Sequence, residues 1–193
     1  MKSSRRADAL VILVLFLLPL LWFAPQALGN KTLLPADNLY QYPPWSAYAG
    51  EMGLPVVDGA VTPYNHLISD LVLENLQWKS LIVDALKSGN LADVLWNPRT
   101  FAGAPFFAAG QHSAAYPLSI LFYILPLARA YGVFTWLQIG MAAAAMYVFM
   151  RALRARPLPA ALSGIAYAFS GFYIVSVNFT MVIAAAAWLP LLL

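Results

Sequence analysis

The chain has 193 residues, of which 62% are hydrophobic and 10% charged, with a formal net charge of +3 and no cysteine. Soluble domains carry about 25% charged residues, so this composition excludes an ordinary soluble particle and points to a membrane protein. The small positive excess sits in two short basic clusters, which excludes nucleic acid as a partner; the lack of cysteine excludes disulfides, thiolate metal sites and thiol nucleophiles.

Residues 9–28 form the first apolar run, preceded by Lys2, Arg5 and Arg6. The run has about the length a bilayer core needs and predicts one uncleaved helix over residues 9–28. The rival is a cleaved signal peptide, because Ala27-Leu28-Gly29 offers the small residues a peptidase requires. In either case the positive-inside bias puts the N-terminus in the cytoplasm and Asn30 outside.

Residues 30–116 are richer in Pro, Gly, Asn, Tyr and Asp, and no apolar run among them reaches membrane length. Within this extracytoplasmic loop, residues 69–88 predict an amphipathic helix capped by Ser69, with Asp70 in its first turn and Gly89 as its stop. Leu73, Leu76, Ile82 and Leu86 are assigned to its apolar face, and Glu74, Lys79 and Asp84 lie away from it.

Residues 117–193 are almost wholly apolar except for Arg151, Arg154 and Arg156, which the positive-inside rule makes cytoplasmic. One crossing is then predicted over residues 131–150, preceded by a short apolar surface helix over residues 117–127. A return crossing follows over residues 159–177, weakened at Ser170-Gly171, and another starts at Met181. The chain ends inside an apolar run, Trp188-Leu189-Pro190-Leu191-Leu192-Leu193, so it reads as the N-terminal piece of a longer protein. No ionisable residue falls inside these predicted spans, which argues against a transporter.

Chemistry is therefore expected in the outer loop, where no Gly-rich phosphate loop, HExxH or GxSxG occurs. Asp37 reads either as an Asx turn or as an interfacial carboxylate able to act as a base or hold a divalent ion. Tyr40, Tyr42, Trp45 and Tyr48 read as an aromatic belt, or as a platform for a sugar ring or isoprenoid chain. Asp70 suits the helix dipole without any function, and with Glu74 it places two carboxylates on one side of the helix. His66 and His112 lack ligand-like partners. Trp96-Asn97-Pro98 and the segment from Phe101 to Phe106 read as an ordered aromatic loop in which Asn97 satisfies backbone groups.

Taken in series, the short motifs of the loop carry more than any one of them. Asn65-His66-Leu67-Ile68-Ser69-Asp70, an amphipathic helix with Trp78, Lys87-Ser88-Gly89, Leu95-Trp96-Asn97-Pro98, Phe101-Ala102-Gly103-Ala104-Pro105-Phe106, Gln111-His112-Ser113 and Tyr116-Pro117 follow in order. This series resembles the first outer loop of YfhO-like bacterial membrane proteins. Pro35-Ala36-Asp37 with Pro43-Pro44-Trp45 is similar to the segment after their first helix. The sequence departs from that pattern at Glu74, at Gln77 and in the longer link Ala92-Asp93-Val94.

The YfhO-like family resembles the GT-C superfamily of polytopic glycosyltransferases. The resemblance implies an all-α polytopic protein of the bacterial plasma membrane, GT-C-like in its N-terminal portion. It implies transfer of a sugar from a polyprenyl-phosphate carrier to a cell-envelope glycan or lipid acceptor on the outer face. Asp37 and Asp70 match acidic positions of the pattern and stand as the candidate catalytic carboxylates. Tyr40, Trp45, Glu74, Trp78, Trp96, Asn97, Gln111 and His112 stand as candidate substrate-binding residues, and a divalent cation is the one cofactor admitted. By the same resemblance, a catalytic site requires further helices, so this portion alone is expected to be inactive. The alternatives are a non-enzymatic accessory protein of surface-polysaccharide assembly and a transporter fragment.

Overall fold

The computed structural model describes residues 2–58 and 60–193. They form a mostly helical chain that divides into two compact units, one built from Met1–Thr32 with Ala128–Leu193 and the other from Leu33–Leu127.

The first unit holds helices α1 (Lys2–Leu17), α2 (Leu20–Ala27), α6 (Leu127–Ala152), α7 (Pro157–Ala168), α8 (Gly171–Val175) and α9 (Thr180–Leu192). Among the described residues, two helices are long and apolar enough to cross a membrane: α6, and the stretch Pro157–Asn178 that runs through α7, α8 and a closing 3₁₀ turn. The pair α1 and α2 makes a third if its two halves count as one span. The predicted single helix over residues 9–28 is thus corrected, because the two halves meet at a bend of 56°. Pro19, at the break, has no N–H to give the ladder, and its ring crowds the preceding turn.

Helix α6 packs against α1 and α2 at unusually close range. A Cβ built on Gly132 would lie 2.2 Å from the Gln26 carbonyl oxygen, and one on Gly140 would lie 2.8 Å from that of Phe16. Gly164 brings α7 equally near to α6, its Cβ position 2.6 Å from the Ala143 oxygen. Small residues admit this approach, and dispersion at short range substitutes for the hydrophobic driving force that lipid does not supply. The Trp136 indole donates to the Phe16 carbonyl at 3.0 Å, and the Tyr167 hydroxyl donates to Ala186 at 2.9 Å. Ala142, Ala143, Ala160, Ala168 and Ala187 are buried along these seams.

The ionisable residues of these helices lie just outside the predicted spans, where they tie helix ends together. Asp8 of α1 accepts from Arg151 of α6 at 2.9 Å and from the Tyr147 hydroxyl at 2.5 Å, and both members of the ion pair are about three-quarters buried. Arg151 also donates to the Ala155 carbonyl, closing the turn after α6. Thr135 and Gln138 are fully buried in the middle of α6, polar but not ionisable side chains within the predicted span. At the opposite end of the unit, the Thr32 hydroxyl donates to the Ala128 carbonyl at 2.8 Å and Arg129 donates to Ala27.

The second unit holds α3 (Leu76–Ser88), α4 (Ala92–Leu95), α5 (Ile120–Ile124) and two short ladders. In these, β1 (Val56–Val57) pairs with β2 (Ala60–Val61), and β3 (Trp96–Asn97) pairs with β4 (Ala104–Pro105). A π-helical turn, Leu71–Asn75, leads into α3, and Gly89 ends the helix in the left-handed conformation at φ 75°. The predicted cap is relocated. Asn65 accepts from the Leu67 N–H and opens the preceding turn, whereas Ser69 makes no cap. The buried stripe is Val72, Asn75, Lys79, Ile82 and Ala85, spaced three or four apart, while Leu86 is 48% exposed. Placing Lys79 on the solvent face was incorrect: its side chain is fully enclosed.

The close approach gives a direct test. Gly132→Val places a branched side chain against backbone, and should lower stability by about 1–3 kcal/mol. Gly171→Ala, where nothing lies within 4 Å, should leave it unchanged; thermal unfolding in detergent followed by tryptophan emission reads both.

Candidate functional site

The core of the second unit is Leu81, Ile82 and Phe106, with Trp78, Ala114 and Tyr123 packed around it. Threaded through it is a buried cation. Lys79 Nζ donates to the His112 carbonyl at 2.6 Å and to Ser119 Oγ at 3.4 Å, and lies 4.6 Å from the centre of the Phe122 ring. Ser119 passes the bond on to the Ser113 carbonyl at 2.6 Å, and the Tyr123 hydroxyl donates to Ala114 at 2.9 Å. The loop from Phe106 to Ser119 is thus held to α3 through one ammonium group. With carbonyl and ring rather than carboxylate around it, burial lowers the Lys79 pKa to about 8.

His112 belongs to the same network. Its Nδ1 accepts from the Ala114 N–H at 3.0 Å, which leaves Nε2 to donate to the Phe106 carbonyl at 2.8 Å. The ring stacks on Phe106 at 4.2 Å, and burial holds its pKa below the usual histidine value. Both ring nitrogens are committed to the loop, so His112, a candidate substrate ligand by sequence, has none left to offer.

Beside this core a groove of about 540 Å³ opens between the start of α3 and the loop after β3. Glu74, Gln77, Trp78, Asn97, Arg99 and Thr100 line it. Asn97 shapes the loop side, its Oδ1 accepting from the Arg99 N–H at 2.9 Å and its Nδ2 donating to Thr100 at 3.0 Å. This Asx turn presents Arg99, whose exposed guanidinium is 3.8 Å from Asp84. Trp96 faces the other way and lies on Gly103, where a Cβ would come within 2.5 Å of its indole nitrogen; at φ 117° only glycine sits easily there.

Of the sequence candidates, the structure brings Glu74, Trp78 and Asn97 together in this groove. Asp37 lies elsewhere, in the turn Ala36–Gln41, and accepts from the Tyr64 N–H at 2.8 Å. Its neighbour Asn38 is fully buried and donates to the Asn65 carbonyl at 3.1 Å, so the two residues staple this turn to residues 64–65. Asp70 is exposed just before the π-helical turn and caps nothing. Tyr40 is half-buried, and Trp45 and Gln111 are exposed, all outside the groove lining. Arg99 and Thr100 were not singled out by sequence, and Gln77 only as a departure from the YfhO-like pattern. The signal for the first two was Asn97 itself, an Asx-turn former with an arginine two residues on.

Among the described residues no three His, Asp or Glu side chains come together. Comparison with protein-family models, with curated proteins and with solved structures finds no match to this chain.

The buried ammonium has a signed consequence. Because its folded pKa lies below the unfolded value, the unfolded chain binds more protons between about pH 8 and 10.4, and stability must rise with pH across that window. The stability difference between wild type and Lys79→Met should move in favour of the wild type from about pH 7.5 to 9.5. A difference independent of pH would mean that Lys79 is solvated.

Proposed function

We propose that this chain is part of a multi-pass membrane glycosyltransferase of the bacterial plasma membrane, with a cytoplasmic N-terminus. It would act at the outer face on a polyprenyl-phosphate-linked sugar and a cell-envelope glycan or lipid acceptor. The observation that carries the reading is the groove on the unit between the first and later apolar helices. It combines an indole, two amides, a hydroxyl, a carboxylate and a guanidinium. Planar rings and amides are suited to a pyranose, and a guanidinium to its phosphate. Orientation is supported by Arg6, Arg151, Arg154 and Arg156, which crowd the end of the first unit away from Thr32 and Ala128. Support for the family comes from the ordered YfhO-like motifs of the loop.

The chemistry assigned to these residues is displacement at the anomeric carbon. A carboxylate takes the proton of the acceptor hydroxyl, the new oxygen–carbon bond forms, and the bond to the carrier phosphate breaks with its electrons. Glu74 sits in the groove within an uncommon π-helical turn, a feature that recurs at functional sites. Asp70 stands one turn earlier. These two are the carboxylates we assign to proton transfer, and Arg99 meets the charge of the departing phosphate. Asp37, bound to the Tyr64 amide, is assigned to holding the loop.

The test is transfer from labelled polyprenyl-phosphate sugars in membranes containing the full-length protein. Glu74→Gln or Asp70→Asn should lower the rate by about 10²-fold or more. Arg99→Ala should also lower it, whereas Asp37→Asn should act mainly through stability. Equal transfer by all four variants and the wild type would remove the groove from the chemistry. Absence of transfer with every donor supplied would favour the accessory-protein reading.

A further inference from the structure

The second unit carries another concavity, and its chemistry differs from that of the groove. A hollow of about 640 Å³ is lined by Leu86, Leu91, Leu95, Phe107, Ile120 and Tyr123, with no charged side chain in its wall. Its rim is apolar as well. Leu86 is 48% exposed, Leu91 57%, Leu95 64%, Phe107 47% and Ile120 49%, and nearby Ile124 on α5 is 67% exposed. Single exposed leucines are ordinary on any surface, but a contiguous apolar face built from four different segments marks an interaction site.

Two observations identify the partner. Ile124 lies three residues before Leu127, where the long apolar helix α6 begins, and three residues of chain reach at most about 11 Å. The apolar wall is therefore covalently continuous with a segment fit to cross a bilayer. A second hollow, to which Ile124 and Leu127 both contribute, is edged by the charged pair Asp84 and Lys87. Charged side chains confined to the margin of an apolar face are the arrangement of segments that lie in the plane of a lipid surface, where the Lys87 stem can carry its ammonium to phosphate level.

We propose that the face formed by the end of α3, α4, Phe107 and α5 is seated in the headgroup–acyl boundary of the bilayer, with Leu91, Leu95 and Ile120 in contact with lipid chains. This holds whether or not the chain transfers sugars. The unit is then a membrane-resting body with one lipid-facing side, rather than a loop carried free in water.

The absence of cysteine allows a clean test, since single cysteines can be introduced without a background. Spin labels at Leu91→Cys, Leu95→Cys and Ile120→Cys would be compared with labels at Glu51→Cys and Glu74→Cys, in phosphatidylcholine–phosphatidylglycerol vesicles holding the full chain. Collision with molecular oxygen should exceed collision with a water-soluble nickel chelate at the first three positions, and the order should reverse at the two glutamates. All five positions lie at the surface, and unchanged tryptophan emission would certify each variant as folded. Nickel collisions dominating at Leu91, Leu95 and Ile120 would overturn the proposal. So would protection of those labels from both agents, which would show protein on that face, or oxygen dominance at all five.

Discussion

A bilayer offers the backbone no water, so every N–H and C=O that enters it must be satisfied inside the chain. This constraint sorts the whole molecule. Segments that can close their own ladder, α6 and the stretch Pro157–Asn178 above all, collect in the first unit. Residues 33–127, with 3₁₀ and π turns, two-residue ladders and many prolines, collect in the second. Within the first unit, glycine at 132, 140 and 164 lets carbonyl oxygens of neighbouring helices approach to distances a side chain would forbid. The Asp8–Arg151 pair closes one end of that packing and the Thr32–Ala128 hydrogen bond closes the other.

The second unit solves a different problem. It has a small core and long irregular segments, whose buried backbone groups need partners. Lys79 supplies one by sending an ammonium into the core to meet the His112 carbonyl, and Ser119, Tyr123 and His112 extend the network along the same loop. Desolvating a cation without a carboxylate is costly, and the lowered pKa of Lys79 is the measure of that cost. What it secures is the position of α5 and of the loop beside α3, and hence of both the polar groove and the apolar hollow.

Much of this was legible in the sequence, for physical reasons that differ by element. Long apolar runs broken by arginines announce helices and their ends, and Gly89 after Lys87-Ser88 announces a stop. Other features were hidden. Pro19 lay inside a run whose length alone satisfied the span criterion, and its bend was missed. Lys79 was put on the solvent face because of its charge, although its spacing from Asn75, Ile82 and Ala85 put it on the buried stripe. Among the site candidates, Glu74, Trp78 and Asn97 converge, while Asp37, Asp70, Tyr40, Trp45 and Gln111 do not line the groove. Convergence depends on the Asn97 turn folding Arg99 and Thr100 back toward α3, and no spacing rule specifies that.

A polar groove and an apolar, membrane-continuous face on one unit suit a ligand that is a sugar phosphate at one end and a hydrocarbon at the other. In the function proposed above, the groove of Glu74, Trp78 and Arg99 holds the sugar-phosphate end. Photo-crosslinking with a polyprenyl-phosphate sugar that carries its reactive group on the sugar, followed by peptide mapping, tests this most directly. Label is expected within residues 73–101, competed by unmodified donor and weakened by Arg99→Ala. Label confined to other segments, or label indifferent to competitor, would contradict it.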